Sequence, residues 1–132
     1  MIARRAGTVI NMVSGAGLND PPAPAGRGGW GYAYGATKAA FHRMVGVLCV
    51  EHRDAGLRFI NVEPGFVVTE AMKLNDPEGE IARRFRGAPP EVPAAVIAWL
   101  ASDPDAAEWN GKTVFAQKLA LDRGLHPDWR RA

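Results

Sequence analysis

Two apolar runs, each passing directly into a glycine-bearing turn, constrain this chain more than any other feature. Gly7-Thr8-Val9-Ile10-Asn11-Met12-Val13 enters Ser14-Gly15-Ala16-Gly17. Leu57-Arg58-Phe59-Ile60-Asn61-Val62 enters Glu63-Pro64-Gly65-Phe66-Val67-Val68-Thr69. Short apolar runs bounded by turn residues read as buried strands. The pattern therefore predicts strands at about 8–13 and 57–62, a long loop at about 15–31 and a helix at about 33–53. Ser14 then lies at the carboxyl end of a strand, where open α/β sheets hold their ligands.

The helix between the strands carries Ala36, Ala39, Ala40, Met44, Val47, Leu48 and Cys49. Such near-continuous hydrophobicity predicts burial on more than one side. Gly56 ends that region. Residues 70–92 read as irregular or weakly helical, rich in charge and closing on Gly87-Ala88-Pro89-Pro90. A helix over 93–101 has proline in its first turn and is stopped by Ser102-Asp103-Pro104. Gly111-Lys112 turns into a short strand over 113–116, and a brief helix in the tail is expected to end near Gly124. The glycines at 26, 28, 29 and 31 follow no strand and share their stretch with Pro21, Pro22 and Pro24, so they read as loop.

Tyr34-Gly35-Ala36-Thr37-Lys38 opens the long helix. Residues four apart share a helix face, which puts the Lys38 ammonium within reach of the Tyr34 phenol. A free phenol titrates near pKa ~10, and an adjacent positive charge favours its ionised form. The pair is thus an acid/base candidate for work near neutral pH. Tyr32 competes for the role, but the residue four beyond it is Ala36.

A strand ending in Ser14, a Tyr34/Lys38 pair and a Pro64-Gly65 turn followed by Thr69, in that order, resemble the short-chain dehydrogenase/reductase family in its small single-domain form. The resemblance runs from about Gly7 to about Phe115. It implies an α/β fold: a partial Rossmann-like, doubly wound parallel sheet made of the family's last three strands with flanking helices. It also implies roles. Ser14 orients a substrate carbonyl or hydroxyl, Tyr34 exchanges the proton, and Lys38 tunes Tyr34 and holds the nicotinamide ribose. Pro64 and Gly65 flank the nicotinamide, and Thr69 bonds its carboxamide. The implied cofactor is NAD or NADP, and the implied substrate is a small secondary alcohol or ketone.

The family's opening strand, glycine-rich phosphate turn and helix have no counterpart before Gly7. The expectation is one incomplete dinucleotide-binding domain over 1–132, with the N-terminal cofactor-binding half absent. Two functions follow. One is NAD(P)-dependent hydride transfer; the other is a truncated non-catalytic remnant or dimerisation partner of an intact relative. The helix at about 33–53 is the expected surface for a homo-oligomer. The strand at 8–13 should expose the edge where a further strand would pair.

Bulk properties narrow the alternatives. A hydrophobic share of 47% supports a modest core rather than disorder. A net charge of +2, with no longer basic run than Arg83-Arg84 or Arg130-Arg131, makes no case for nucleic acid. No run approaches the ~18 apolar residues of a membrane span. One cysteine, Cys49, precludes an internal disulfide and suits a reducing cytoplasm. Cys49 reads as a packed thiol, Asn11 as satisfying local backbone, and His42 as solvated on the helix's polar side. His42, His52 and His126 have no metal-ligand spacing, so no metal site is expected. Thr69 suits two compatible roles, helix cap and cofactor contact. Trp30, Phe66, Met72 and Leu74 are the candidates for an apolar substrate mouth, with core or interface packing as the plain reading.

Overall fold

The computed structural model describes residues 1–131, the side chain of Arg131 excepted. Three parallel strands form one sheet: β1 (Gly7–Met12), β2 (Leu57–Glu63) and β3 (Thr113–Phe115), in the order β1-β2-β3. Between β1 and β2 runs the helix α1 (Tyr32–Glu51). Four helices lie between or after β2 and β3: α2 (Glu70–Asn75), α3 (Glu80–Arg84), α4 (Glu91–Ser102) and α5 (Ala116–Arg123). This is the expected α/β arrangement, a partial Rossmann-like sheet flanked by helices.

Side-chain alternation in the strands sorts these helices onto the two faces of the sheet. Ile60 and Val62 of β2 are fully buried in one core with Val92, Val96 and Leu100 of α4 and Ala116, Leu119 and Ala120 of α5. The α4 residues recur at i, i+4 and i+8, which is one stripe of a helix. Phe59 and Asn61 point the other way, towards α1: Phe59 stacks on His52, and the Asn61 amide donates to the His42 carbonyl at 2.9 Å. β1 has β2 along one edge and, among the described residues, no strand along the other.

Several local expectations are corrected. α1 is not buried on more than one side. Val45 is its buried residue, while Phe41, Val47 and Val50 are exposed. The reason is geometric: α1 packs mainly on the turn after β1 and on β2, with a lesser contact to β1, which leaves its outer face to solvent. The stretch 70–92 takes the weakly helical of its two expected forms, with short helices α2 and α3 that side chains cap. Thr69 Oγ1 accepts from Met72 N at 3.3 Å, and Asp76 accepts from the backbone N–H groups of Glu80 and Ile81. β3 stops at Phe115, and Ala116 already opens α5, which closes on Gly124 in the left-handed conformation.

Candidate active site

The carboxyl ends of β1 and β2 lie side by side, since Met12 pairs with Val62 and Val13 N donates to Val62 O at 2.9 Å. Ser14 and the Glu63-Pro64-Gly65 turn therefore emerge from one edge of the sheet. Ser14 begins a 3₁₀ turn over Gly15–Gly17, and its Oγ accepts from Ala16 N at 3.2 Å.

That turn is pressed against the start of α1. A Cβ on Gly17 would sit 2.6 Å from the carbonyl carbon of Lys38 and 2.8 Å from Ala39 N, so only glycine permits the approach. The approach brings the Tyr34 hydroxyl to Ser14, donating to Oγ at 3.4 Å. Lys38 folds back over the same region. Its Nζ donates to the Met12 carbonyl at 3.3 Å and lies 5.9 Å from the centre of the Tyr34 ring. Three residues separated in sequence thus form one cluster at the strand end: a hydroxyl, a phenol and an ammonium. All three side-chain contacts are open to solvent, and Tyr34 itself is 48% exposed.

Beside this cluster the Pro64-Gly65 turn is held open. Gln117 Nε2, from α5, donates to the Pro64 carbonyl at 3.1 Å and to the Phe66 carbonyl at 3.0 Å. Gly65 has φ +73°, and its N–H donates to Glu63 Oε2 at 3.0 Å. Gln117 and Glu63 were not singled out from the sequence. A glutamine at the second position of a tail helix gives no signal until the fold carries it 53 positions back to the turn.

Two further readings are corrected here. Asn11 does not serve local backbone: its Nδ2 donates to the Phe41 carbonyl of α1 at 2.7 Å and to Asn61 Oδ1 at 2.9 Å. His42 is not solvated, because its Nε2 lies 2.8 Å from Thr113 Oγ1 of β3. Both overturned readings share a cause, which is that α1 lies across the strands with this face inward. Cys49 is partly buried, as expected, with Sγ 3.7 Å from Asn110 Oδ1, and burial pushes its thiol above the usual pKa.

Three of the four residues named for a substrate mouth have described settings. Phe66 stacks on Phe85 at 5.0 Å and Leu74 is 83% exposed. Trp30 instead lines a separate cleft of about 330 Å³ with Ala16, Tyr32, Gly35 and Ala39.

The comparisons identify the family. The sequence profile described as "short chain dehydrogenase" matches residues 1–79, more than half of the chain. The chain belongs to the short-chain dehydrogenase/reductase family. It is similar to meso-2,3-butanediol dehydrogenase of Serratia marcescens, with 33% identity over 114 residues, covering 82% of this chain and 42% of that relative. It is also similar to 3beta-hydroxysteroid dehydrogenase 1 of Eggerthella lenta, with 38% identity over 90 residues, covering 62% of this chain and 34% of the relative. Among solved structures, a candidate NAD(P)-dependent gluconate 5-dehydrogenase from Beutenbergia cavernae, with NADP bound at low occupancy, matches at 27% identity and TM-score 0.68. That match covers 92% of this chain and 49% of that one. The chain thus spans less than half the length of these three proteins.

The family's oxidoreductases use NAD or NADP, and the described residues fit the nicotinamide end of such a cofactor. An ammonium at the end of β1 and a left-handed glycine turn at the end of β2 lie at the same end of the sheet, and a threonine hydroxyl caps α2 a few residues on. Thr69 Oγ1 accepts from Met72 N, which leaves its proton free to donate. A strand–glycine turn–helix unit for the pyrophosphate is not found among the described residues.

Proposed function

We propose that this chain carries the proton-handling half of a nicotinamide-dependent dehydrogenase/reductase acting on a secondary alcohol or ketone. The observation that carries the reading is the contact between Tyr34 Oη and Ser14 Oγ, with Lys38 folded over the phenol. When bound, the nicotinamide supplies or accepts hydride at the substrate carbon. Ser14 holds the substrate oxygen by a hydrogen bond. Tyr34, within reach of that same oxygen, donates its proton in reduction and withdraws one in oxidation. Lys38 places a positive charge beside the phenol and offers the ribose its remaining N–H donors. Pro64, Gly65 and Thr69 would border the nicotinamide, and the Gln117 clamp fixes the turn that carries Pro64 and Gly65.

The test is turnover with NAD, NADP and their reduced forms against a panel of small secondary alcohols and ketones. Tyr34→Phe keeps the ring and removes the proton, so turnover is expected to fall by roughly 10²–10⁴-fold. Turnover equal to the parent's in Tyr34→Phe would refute the assignment.

A second reading draws on a different observation. α1 presents Phe41 and Val50 to solvent, 53% and 67% exposed, and β1 has a free edge. A chain of this kind can act by pairing with another family subunit. Monomeric behaviour in analytical ultracentrifugation, alone and mixed with a full-length relative, would remove this reading.

A further inference from the structure

A cleft of about 550 Å³ lies well away in sequence from Ser14, Tyr34 and Lys38, lined by Ala82, Arg83, Arg86, Gly87, Trp129 and Arg130. We propose that it binds a small organic anion, a carboxylate or phosphate attached to a flat apolar group. This site does not depend on the catalytic reading of Tyr34.

Three arginines from two distant segments converge on one concavity. Arg130 is already committed: its Nε and Nη2 take both carboxylate oxygens of Asp128, at 2.8 and 3.0 Å. That pairing holds its planar fork in place and offsets its charge. Arg83 and Arg86 have no carboxylate partner among the described residues, so the rim carries two uncompensated guanidiniums. Guanidinium forks match the oxygens of carboxylates and phosphates and hold them by charge-assisted bonds.

The second half of the ligand follows from the remaining walls. Trp129 packs against the main core and is steadied edge-on by His126, 6.2 Å between ring centres. It gives the cleft an aromatic surface, and Ala82 and Gly87 add small lining residues. Gly87 is held close. A Cβ there would meet Val68 Cγ2 at 2.5 Å and Phe66 Cδ1 at 3.0 Å, so the cleft floor is pinned to the chain that leaves the Pro64-Gly65 turn. Arg86, next to it, has φ +50°, a conformation uncommon for arginine. A cavity of this size, part apolar with a few convergent charges, is built like a small-molecule site.

The test uses the ¹⁵N-labelled full chain and two probes, benzoate and phenyl phosphate. Inorganic phosphate and sodium chloride at matched ionic strength serve as controls. The readout is the indole N–H signal of Trp129, assigned with Trp129→Phe. The expected result is a saturable shift of that signal, with the Trp30 signal unmoved. Binding should weaken about fivefold or more in Arg83→Gln and in Arg86→Asn, asparagine being tolerant of the positive φ. Circular dichroism establishes that both variants remain folded. Binding of phenyl phosphate alone assigns a phosphate ligand, and binding of benzoate alone a carboxylate. A shift matched by sodium chloride, no saturation with either probe, or equal affinity in both arginine variants would overturn the proposal.

Discussion

Asn11 and Asn61 face each other in register on β1 and β2, and Asn11 Nδ2 donates to Asn61 Oδ1 at 2.9 Å. The same two amides reach up to successive carbonyls of α1, Asn11 to Phe41 and Asn61 to His42. A pair of buried amides therefore ties the sheet to the helix that carries Tyr34 and Lys38. Each amide is 5% exposed or less, so a lost partner is not replaced by bulk water.

Asn11→Leu and Asn61→Leu should each lower stability by about 1–3 kcal/mol, through the lost amide bonds to α1 and the unpaired remaining amide. The double variant should cost less than the sum by about 0.5 kcal/mol or more, because the pair shares one bond. Urea unfolding of the four proteins measures this. Strict additivity would mean that the two amides act independently.

Gly17 is where the turn bearing Ser14 touches α1, and the neighbouring atoms are backbone that cannot swing aside. Gly17→Ala should therefore separate Ser14 from Tyr34. We expect a stability loss of about 1–3 kcal/mol in thermal or urea unfolding. Turnover should fall further than that of a surface glycine variant such as Gly28→Ala. Full activity in Gly17→Ala would show that the Ser14–Tyr34 contact is not needed.

The strands, the long helix and the Ser14–Tyr34–Lys38 set were legible in the sequence because each is announced locally. Apolar runs end on glycine, and a four-residue spacing defines a helix face. What sequence reading missed lies in contacts between distant segments. His42 meets Thr113 across 71 positions and Gln117 meets Phe66 across 51, and neither residue type announces its partner. The exposure of Val47 runs against its expected burial for a related reason. Hydrophobic periodicity reports what a helix could bury, whereas the number of surfaces packed on it decides what it does bury.

Gly65→Ala should be destabilising for two separable reasons: φ +73°, and a Cβ that would approach Gln117 Nε2 to 2.4 Å. Adding Gln117→Ala removes the collision and leaves the backbone strain. The double variant should regain part of a loss of about 1–3 kcal/mol but not all of it. Complete recovery would place the whole cost on the glutamine, and no recovery would place it on φ.

Burial raises the Cys49 thiol pKa. The folded chain therefore holds that proton more tightly than the unfolded chain. The resulting stabilisation is fully present below the unfolded thiol's pKa and is lost as pH rises through the folded value. Iodoacetamide at mildly alkaline pH should alkylate the folded chain about threefold more slowly, or slower still, than the chain in urea. Equal rates would contradict a shielded thiol.

We propose that the sheet end formed by Ser14, Tyr34, Lys38 and the Pro64-Gly65 turn receives a nicotinamide cofactor. A fluorescence titration of the purified chain with NADH and NADPH tests it most directly. Saturable binding, weakened about tenfold or more by Lys38→Ala and little changed by Tyr34→Phe, is the predicted result. A folded chain that binds neither cofactor at millimolar concentration, or binds equally well without the Lys38 ammonium, would contradict it.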